Sequence, residues 1–375
     1  MLTALAWLGL VVATLWTLGG LSAVWLTTRR KARLAATPRA VSVLKPLCGS
    51  DAELEQNLTS FFEQDQPELE LVFGVVDARD PALAVVERVR ARYPHVPCQI
   101  VVHDGAGALN PKVDNLVGLL PRARHDLVLV SDSNVRAPRH YVRELSSLYD
   151  EERAGLVTNL FAGVGENSFG SALECVELSG FIAAGVALPT VLGDPLLVGK
   201  SALFSRARLQ ELGGLERLSD VLAEDFVLGK TFAHAGERLV LAPTVLSNIT
   251  SNLSLRAALA RHLRWSMLRF RLRPTAVALE PLTSPLALVP LIWVVLGPWA
   301  LAWAALVIFL RDAGGWWLLR GAHRLWLPLL LAVPRDLFAL AIWAIAPLKH
   351  HVSWRGRRFR LGAGTLLYPE PARCP

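Results

Sequence analysis

Three acidic sites stand where a sheet protein commonly holds its ligands. Asp77 ends the apolar run LVFGVVD, Asp132 lies in SDSN directly after DLVLV, and Glu224 and Asp225 open the helical pattern EDFVLGKTFAHAG. Carboxylates can hold a hard divalent ion through their oxygens, or take a proton from a hydroxyl in a transition state. Each also has a bland reading, since Asp after a strand often makes a turn and acids at a helix start favour its positive end. Farther along, RHLRW sets Arg261 and Arg264 one helical turn apart with Trp265 adjacent, and Lys112 lies in NPKVDNL. Guanidinium forks and a compact ammonium are groups that bind phosphate oxygens. A basic flank to a membrane segment is the alternative for the arginines, and a solvated helix-start lysine for Lys112.

Only a scaffold that gathers strand ends can make one site of these groups. Short apolar runs predict strands over 41–44, 69–76, 98–103 and 127–131, and helical patterns predict helices over 52–63, 81–93 and 111–119. Strand and helix in turn mean an α/β domain with a mostly parallel sheet covered on both faces. Ligands of such sheets bind at the carboxyl ends of the strands, where Asp77 and Asp132 fall.

The chain has 375 residues, 53% of them hydrophobic, with 12 Trp and a net charge of +7. The run 2–28 has no ionisable side chain, and at about 1.5 Å per helical residue it reaches roughly 40 Å, more than a hydrocarbon core of about 30 Å. Its basic flank, Arg29, Arg30, Lys31 and Arg33, follows the apolar run rather than preceding it, which predicts an uncleaved anchor and not a signal peptide. A second charge-free run covers 285–310. A third, 325–348, holds Arg335 and Asp336 side by side and Pro334, and reads as a span or as a kinked, re-entrant hairpin. Basic clusters at 29–39, 261–273 and 349–360 belong on the cytosolic side, which with three crossings puts the N-terminus and 311–324 outside. The predicted domains are an anchor at 1–28, a cytosolic catalytic domain at 29–281, membrane helices at 282–348 and a cytosolic basic tail at 349–375.

The positive charge sits mostly in these flanks and suits an anionic lipid surface. No zinc-finger spacing or aromatic signature accompanies it, which argues against nucleic acid. Cys48, Cys98, Cys175 and Cys374 are far apart and form no metal-ligand pair, so buried thiols in a reducing compartment are expected.

Taken in order, VSVLKPLCG, ELEQNLTSFFEQD, VVDARDPAL, NPKVDNL, SDSNVR, AEDFVLGK, RHLRW, LRFRLRPTAVALEPL and WRGRRFRLGAG resemble the ceramide glucosyltransferase family over residues 41–364. These enzymes are inverting glycosyltransferases of GT-A architecture, with three aspartate sites followed by a (Q/R)xxRW motif. One departure stands out, because animal members carry a histidine in the stretch matching 180–198 and this chain has none there. The resemblance implies a multi-pass membrane enzyme that moves glucose from UDP-glucose to ceramide on the cytosolic face. It implies Asp225 as the base, Asp77 on the uracil or ribose of the donor, and Asp132 as ligand of a divalent cation, Mg²⁺ or Mn²⁺, helped by Ser133 or Asn134. Lys112, Arg261 and Arg264 would meet the diphosphate, with Trp265 beside the acceptor. Alternatives are transfer to another lipid such as a hopanoid, a polysaccharide synthase, and a non-catalytic membrane receptor for nucleotide sugars or lipids.

Overall fold

A computed structural model describes residues 1–354 and 357–370 of the chain. After the N-terminal helix α1 (Leu2–Arg29) come β1 (Val41–Pro46), α2 (Leu54–Phe62), β2 (Leu69–Val75), α3 (Ala82–Arg92), β3 (Cys98–Val102), α4 (Pro111–Leu119) and β4 (Leu127–Ser131). The order predicted for this half holds, with ends moved by a residue or two. The four strands pair in parallel in the order β3-β2-β1-β4. They are apolar on both faces because α2 and α3 cover one side, where Phe61 and Val86 meet Val43 and Phe73, and α4 covers the other, where Val113 and Leu116 meet Leu44 and Val72. Strand order reverses between β1 and β4, so a crevice opens at their carboxyl ends.

Then follow β5 (Val135–Arg136), α5 (Tyr141–Glu151), β6 (Leu156–Val164), α6 (Phe169–Glu177), α7 (Ala183–Val191), β7 (Ser201–Ser205), α8 (Arg206–Glu211), α9 (Glu224–His234) and β8 (Leu239–Ile249). These add β7, β6, β8 and β5 beyond β4 to complete an eight-stranded sheet. β7 runs antiparallel to both of its neighbours, whereas β6 and β8 are parallel. The sheet is therefore mixed, though mostly parallel as predicted.

The C-terminal part holds α10 (Leu255–Leu272), α11 (Pro274–Ala278), α12 (Pro285–Leu296), α13 (Trp299–Arg320) and α14 (Trp326–Ile345). It closes with an antiparallel sheet of β9 (His351–Trp354), β10 (Arg357–Leu361) and β11 (Leu367–Pro369), a folded unit where a tail was predicted. Among the described residues, four stretches are long and apolar enough to cross a membrane: Leu2–Arg29, Phe169–Val191, Trp299–Arg320 and Trp326–Leu348. The second comprises α6 and α7, joined by a π-helical segment Leu178–Ile182, and lies inside what the sequence reads as the catalytic domain.

Three membrane expectations are corrected. The run 285–310 is not one helix, because Gly297 takes a φ of 54° that turns the chain between α12 and α13. The stretch 311–324 is not an outer loop: Arg311 and Asp312 are buried within α13, and Arg320 at its end binds Glu166, just past β6, at 2.9 Å. α14 runs through Pro334 unbroken, and both its ends meet the catalytic domain or the helices attached to it, Leu327 and Leu331 against α6, and Ala346 against Leu222 and Met267. Two helices, α12 and α13, thus stand where the sequence predicts one continuous span. The thiol expectation also changes, since Cys48 is exposed and Cys98 half-buried, with Cys175 buried as expected; Arg355 and Cys374 lie outside the described residues.

Candidate active site

Asp132, one residue past β4, lies between two ammonium groups. Lys112 Nζ stands 2.8 Å from Oδ1 and Lys200 Nζ 2.9 Å from Oδ2. Lys112 is placed by the start of α4, where the Asn110 side chain accepts the N–H groups of Lys112 and Val113 and Pro111 fills the first helical position. Its Nζ also donates to Gly199 O at 2.9 Å and pairs with Glu224 Oε1 at 3.1 Å. Lys200 arrives by strand register: β7 pairs antiparallel with β4, Ser201 opposite Ser131, so the preceding lysine falls beside the following aspartate. Asn134 donates its amide to Asn248 Oδ1 at 3.1 Å, which leaves its own Oδ1 to accept from Lys200 at 3.2 Å.

Electrostatics lock this arrangement. Burial alone would raise the Asp132 carboxyl, but Lys112 and Lys200 hold it well below the usual carboxylate range. Burial likewise opposes charge on Lys112, and Asp132, Glu224 and Asp225 overcome it, keeping the ammonium protonated far above its ordinary range. Beneath them Lys45, from β1, donates to Ser131 Oγ at 3.2 Å and to the Asp132 carbonyl at 2.9 Å, and sits 3.5 Å from the centre of the Phe61 ring. Burial pushes the Lys45 ammonium well below its ordinary value, with Asp132 opposing.

Glu224 and Asp225 form the first turn of α9. Asp225 Oδ2 accepts the Gly199 N–H at 2.6 Å and Oδ1 accepts its neighbour Phe226 N–H at 2.7 Å. A Cβ at position 199 would stand 2.9 Å from Asp225 Oδ2 and 3.0 Å from Lys112 Nζ, so a larger residue there would push these two side-chain ends aside. Glu224 Oε2 accepts from Asn110 Nδ2 at 3.3 Å, and burial pushes its carboxyl up while Lys112 opposes the shift. The segment leading into α9 is clamped by the C-terminal sheet: Leu222 N–H donates to Thr365 O at 3.0 Å, and Leu367 N–H to Asp220 O at 2.7 Å. The folded C-terminus thus fixes the entry to the acidic helix turn.

Of the residues chosen from sequence, Lys112, Asp132 and Asp225 come together, with Glu224 among them. Asp77 lies past the end of β2, exposed, its Oδ1 accepting the Arg79 N–H at 2.8 Å in a turn. Arg261 on α10 reaches the buried Glu174 of α6 at 2.5 Å, with His262 beside it. Arg264 is half-buried one turn on, and Trp265 packs on His262, ring centres 5.1 Å apart, and against the main core. The side chains around Asp132 do not fit the predicted divalent ion: both its carboxylate oxygens and Asn134 Oδ1 accept from ammonium groups, and Ser133 Oγ is bonded to Asp51. Among the described residues no group of three or more His, Cys, Asp and Glu side chains is placed to hold a metal.

A family model described as Glycosyl transferase family 21 matches residues 5–367, nearly the whole chain. The chain belongs to glycosyl transferase family 21. Similar curated proteins include ceramide glucosyltransferase 1 of Caenorhabditis elegans, 28% identical over 243 residues that cover 64% of this chain and 52% of that protein. A ceramide glucosyltransferase of Komagataella phaffii is 36% identical over 99 residues, 25% of this chain and 19% of its own length. The match to the nematode relative thus spans about half of that protein's length. Among solved structures, mannosyltransferase PcManGT of Pyrobaculum calidifontis, in complex with GDP-mannose and Mn²⁺, superposes over 92% of this chain and 99% of its own, at 19% identity and a TM-score of 0.52. The fold of this family 21 chain is GT-A-like, as the resemblance implied.

Sequence reading of the family 21 chain missed Lys200, Gly199 and Glu174. The first two precede the short strand SALFS, and a glycine–lysine pair before a strand was the available signal. Glu174 lies in an apolar helix, where a lone acid signals a buried partner.

Proposed function

We propose that this chain is a hexosyltransferase that moves glucose from UDP-glucose to ceramide, with inversion at the anomeric carbon. The observation that carries the reading is the convergence of Lys112, Lys200, Asp132, Glu224 and Asp225 at the switch point of a GT-A-like sheet. Family membership and the ceramide glucosyltransferases among the relatives support the acceptor.

In this mechanism Asp225 takes the proton of the acceptor hydroxyl as its oxygen bonds to the sugar C1, and the C1–O bond to the diphosphate breaks with its electron pair leaving on phosphate. Two backbone N–H groups orient the Asp225 carboxylate without neutralising it. Asp77, at the end of β2, serves the uracil or ribose. Arg261, held by Glu174, fixes the RHLRW turn with Arg264 and Trp265, and this helix leads through α11 into α12, so a lipid headgroup can reach Asp225 while its chains stay in the bilayer. The catalytic domain faces the cytosol, as the basic flank after α1 directs.

Purified chain in nanodiscs, given UDP-glucose and ceramide, is expected to form hexosylceramide detectable by mass spectrometry. Hydrolysis of donor with no glycolipid, or transfer only to a different lipid, would remove ceramide from the reading. Topology has its own test: reporters placed after Arg33 and in the turn at Gly321 are both expected on the cytosolic side, because α13 returns to the catalytic domain there. A reporter at Gly321 that maps outside would restore the single crossing over 285–310.

A further inference from the structure

An ammonium has three N–H donors. Lys112 directs its own at Asp132, Gly199 and Glu224, and Lys45 meets Ser131, the Asp132 carbonyl and the face of Phe61. Lys200 has two protein acceptors among the described residues, Asp132 Oδ2 and Asn134 Oδ1, and its side chain is 19% exposed. It is the lysine of this crevice with a donor left for a ligand. Its seat is also rigid, because the β4–β7 register fixes its backbone and the bond from Asn134 to Asn248 fixes the amide oxygen it binds.

We infer that Lys200 binds the diphosphate of the donor, occupying the seat in which a divalent ion would bridge Asp132 and Asn134, so that donor binding needs no metal. The inference rests on the reading of this chain as a nucleotide-sugar transferase. A divalent ion needs several oxygen ligands, and here the oxygens that SDSN offers are already directed at ammonium groups. A chain-borne cation does the corresponding electrostatic work: as the C1–O bond breaks and its electron pair moves to phosphate, the third N–H of Lys200 meets the developing charge without giving up its proton. Asp132 then anchors the lysine rather than a metal, and Lys112 holds Asp132, Glu224 and Gly199 in register.

The test is UDP binding by calorimetry to the full chain in nanodiscs, in excess EDTA and again with Mg²⁺. Wild type is expected to bind UDP with the same affinity in both. Lys200→Met is expected to bind about 10-fold to 100-fold more weakly in EDTA, the range of a lost charge-assisted hydrogen bond. Mg²⁺ is expected to restore it, because Asp132 Oδ2 and Asn134 Oδ1 are then released from the ammonium and can hold the ion. That acquired metal dependence separates a binding role from general damage, and Lys200→Gln gives the same comparison should the methionine variant not fold. Wild-type binding that vanishes in EDTA would overturn the inference, as would a Lys200 variant that binds UDP normally there. Wild type that binds UDP in EDTA yet makes no glycolipid would sink the ceramide reading and leave this one standing. Glycolipid made only with added Mg²⁺ would do the reverse.

Discussion

Asp225→Asn is expected to lose about 10²-fold to 10⁴-fold in turnover, the range for removing a general base, while UDP affinity stays within about 2-fold. The amide keeps the shape of the side chain, and its oxygen can still accept the Gly199 N–H that holds Asp225 Oδ2 at 2.6 Å, at the cost of the bond from the Phe226 N–H to Oδ1. What it cannot do is take a proton. Glu224→Gln differs in kind, since Glu224 Oε1 pairs with Lys112, and the amide removes a charge that helps hold an ammonium also bound to Asp132. That variant should change UDP affinity along with turnover. If Asp225 merely favoured the positive end of a helix, its replacement would cost about 0.3 to 1 kcal/mol of stability and little turnover. Steady-state turnover beside calorimetric UDP binding decides, and an Asp225→Asn enzyme near wild-type rate would move the base to Glu224.

The parts of this site that could be read in sequence are those set by local pattern. β1 to β4 alternate with helices, so Asp132 had to fall at a carboxyl strand end, and the Asn-Pro pair before Lys112 marks a capped helix start. Lys200 could not be placed that way. Its position depends on β7 lying antiparallel to β4, a pairing between segments distant in sequence that no periodicity within SALFS announces. Arg261 shows the complementary case: a guanidinium in a motif with phosphate-binding chemistry directs one of its N–H groups at Glu174, an acid hidden in an apolar helix that local pattern does not pair with it. The break between α12 and α13 did have a local sign, Gly297 followed by Pro298, which the absence of charge over 285–310 outweighed. The lead from RHLRW through α11 into the apolar α12 was legible because basic and apolar runs adjoin there.

Arg335→Met is expected to destabilise the chain by about 3 to 5 kcal/mol, the cost of removing one partner from a buried ion cluster. Arg335 is 2% exposed, and it contacts Glu177 of α6 at 2.9 Å, Asp312 of α13 at 3.0 Å and Asp336 of α14 at 2.8 Å. Arg311 completes the cluster, 2.8 Å from Asp312 and 2.7 Å from Asp336. Two arginines therefore face three carboxylates, and the cluster joins α6, α13 and α14 where water is scarce. Removing Arg335 leaves those carboxylates with one guanidinium among them. Asp336→Asn instead leaves two cations facing two anions, so it should lose less than half as much, although both variants delete a contact of the same length class. Arg335→Lys separates charge balance from simple packing, because lysine and methionine fill a similar volume but only lysine keeps the charge, so the lysine variant is expected to lose less than Arg335→Met. Unfolding of the detergent-purified proteins, followed by intrinsic tryptophan fluorescence, measures the series. Equal midpoints for Arg335→Met and Asp336→Asn would show that the cluster is not held by its charge balance, and the helices would then owe their arrangement to the apolar contacts of Trp316, Leu327 and Leu331 with α6.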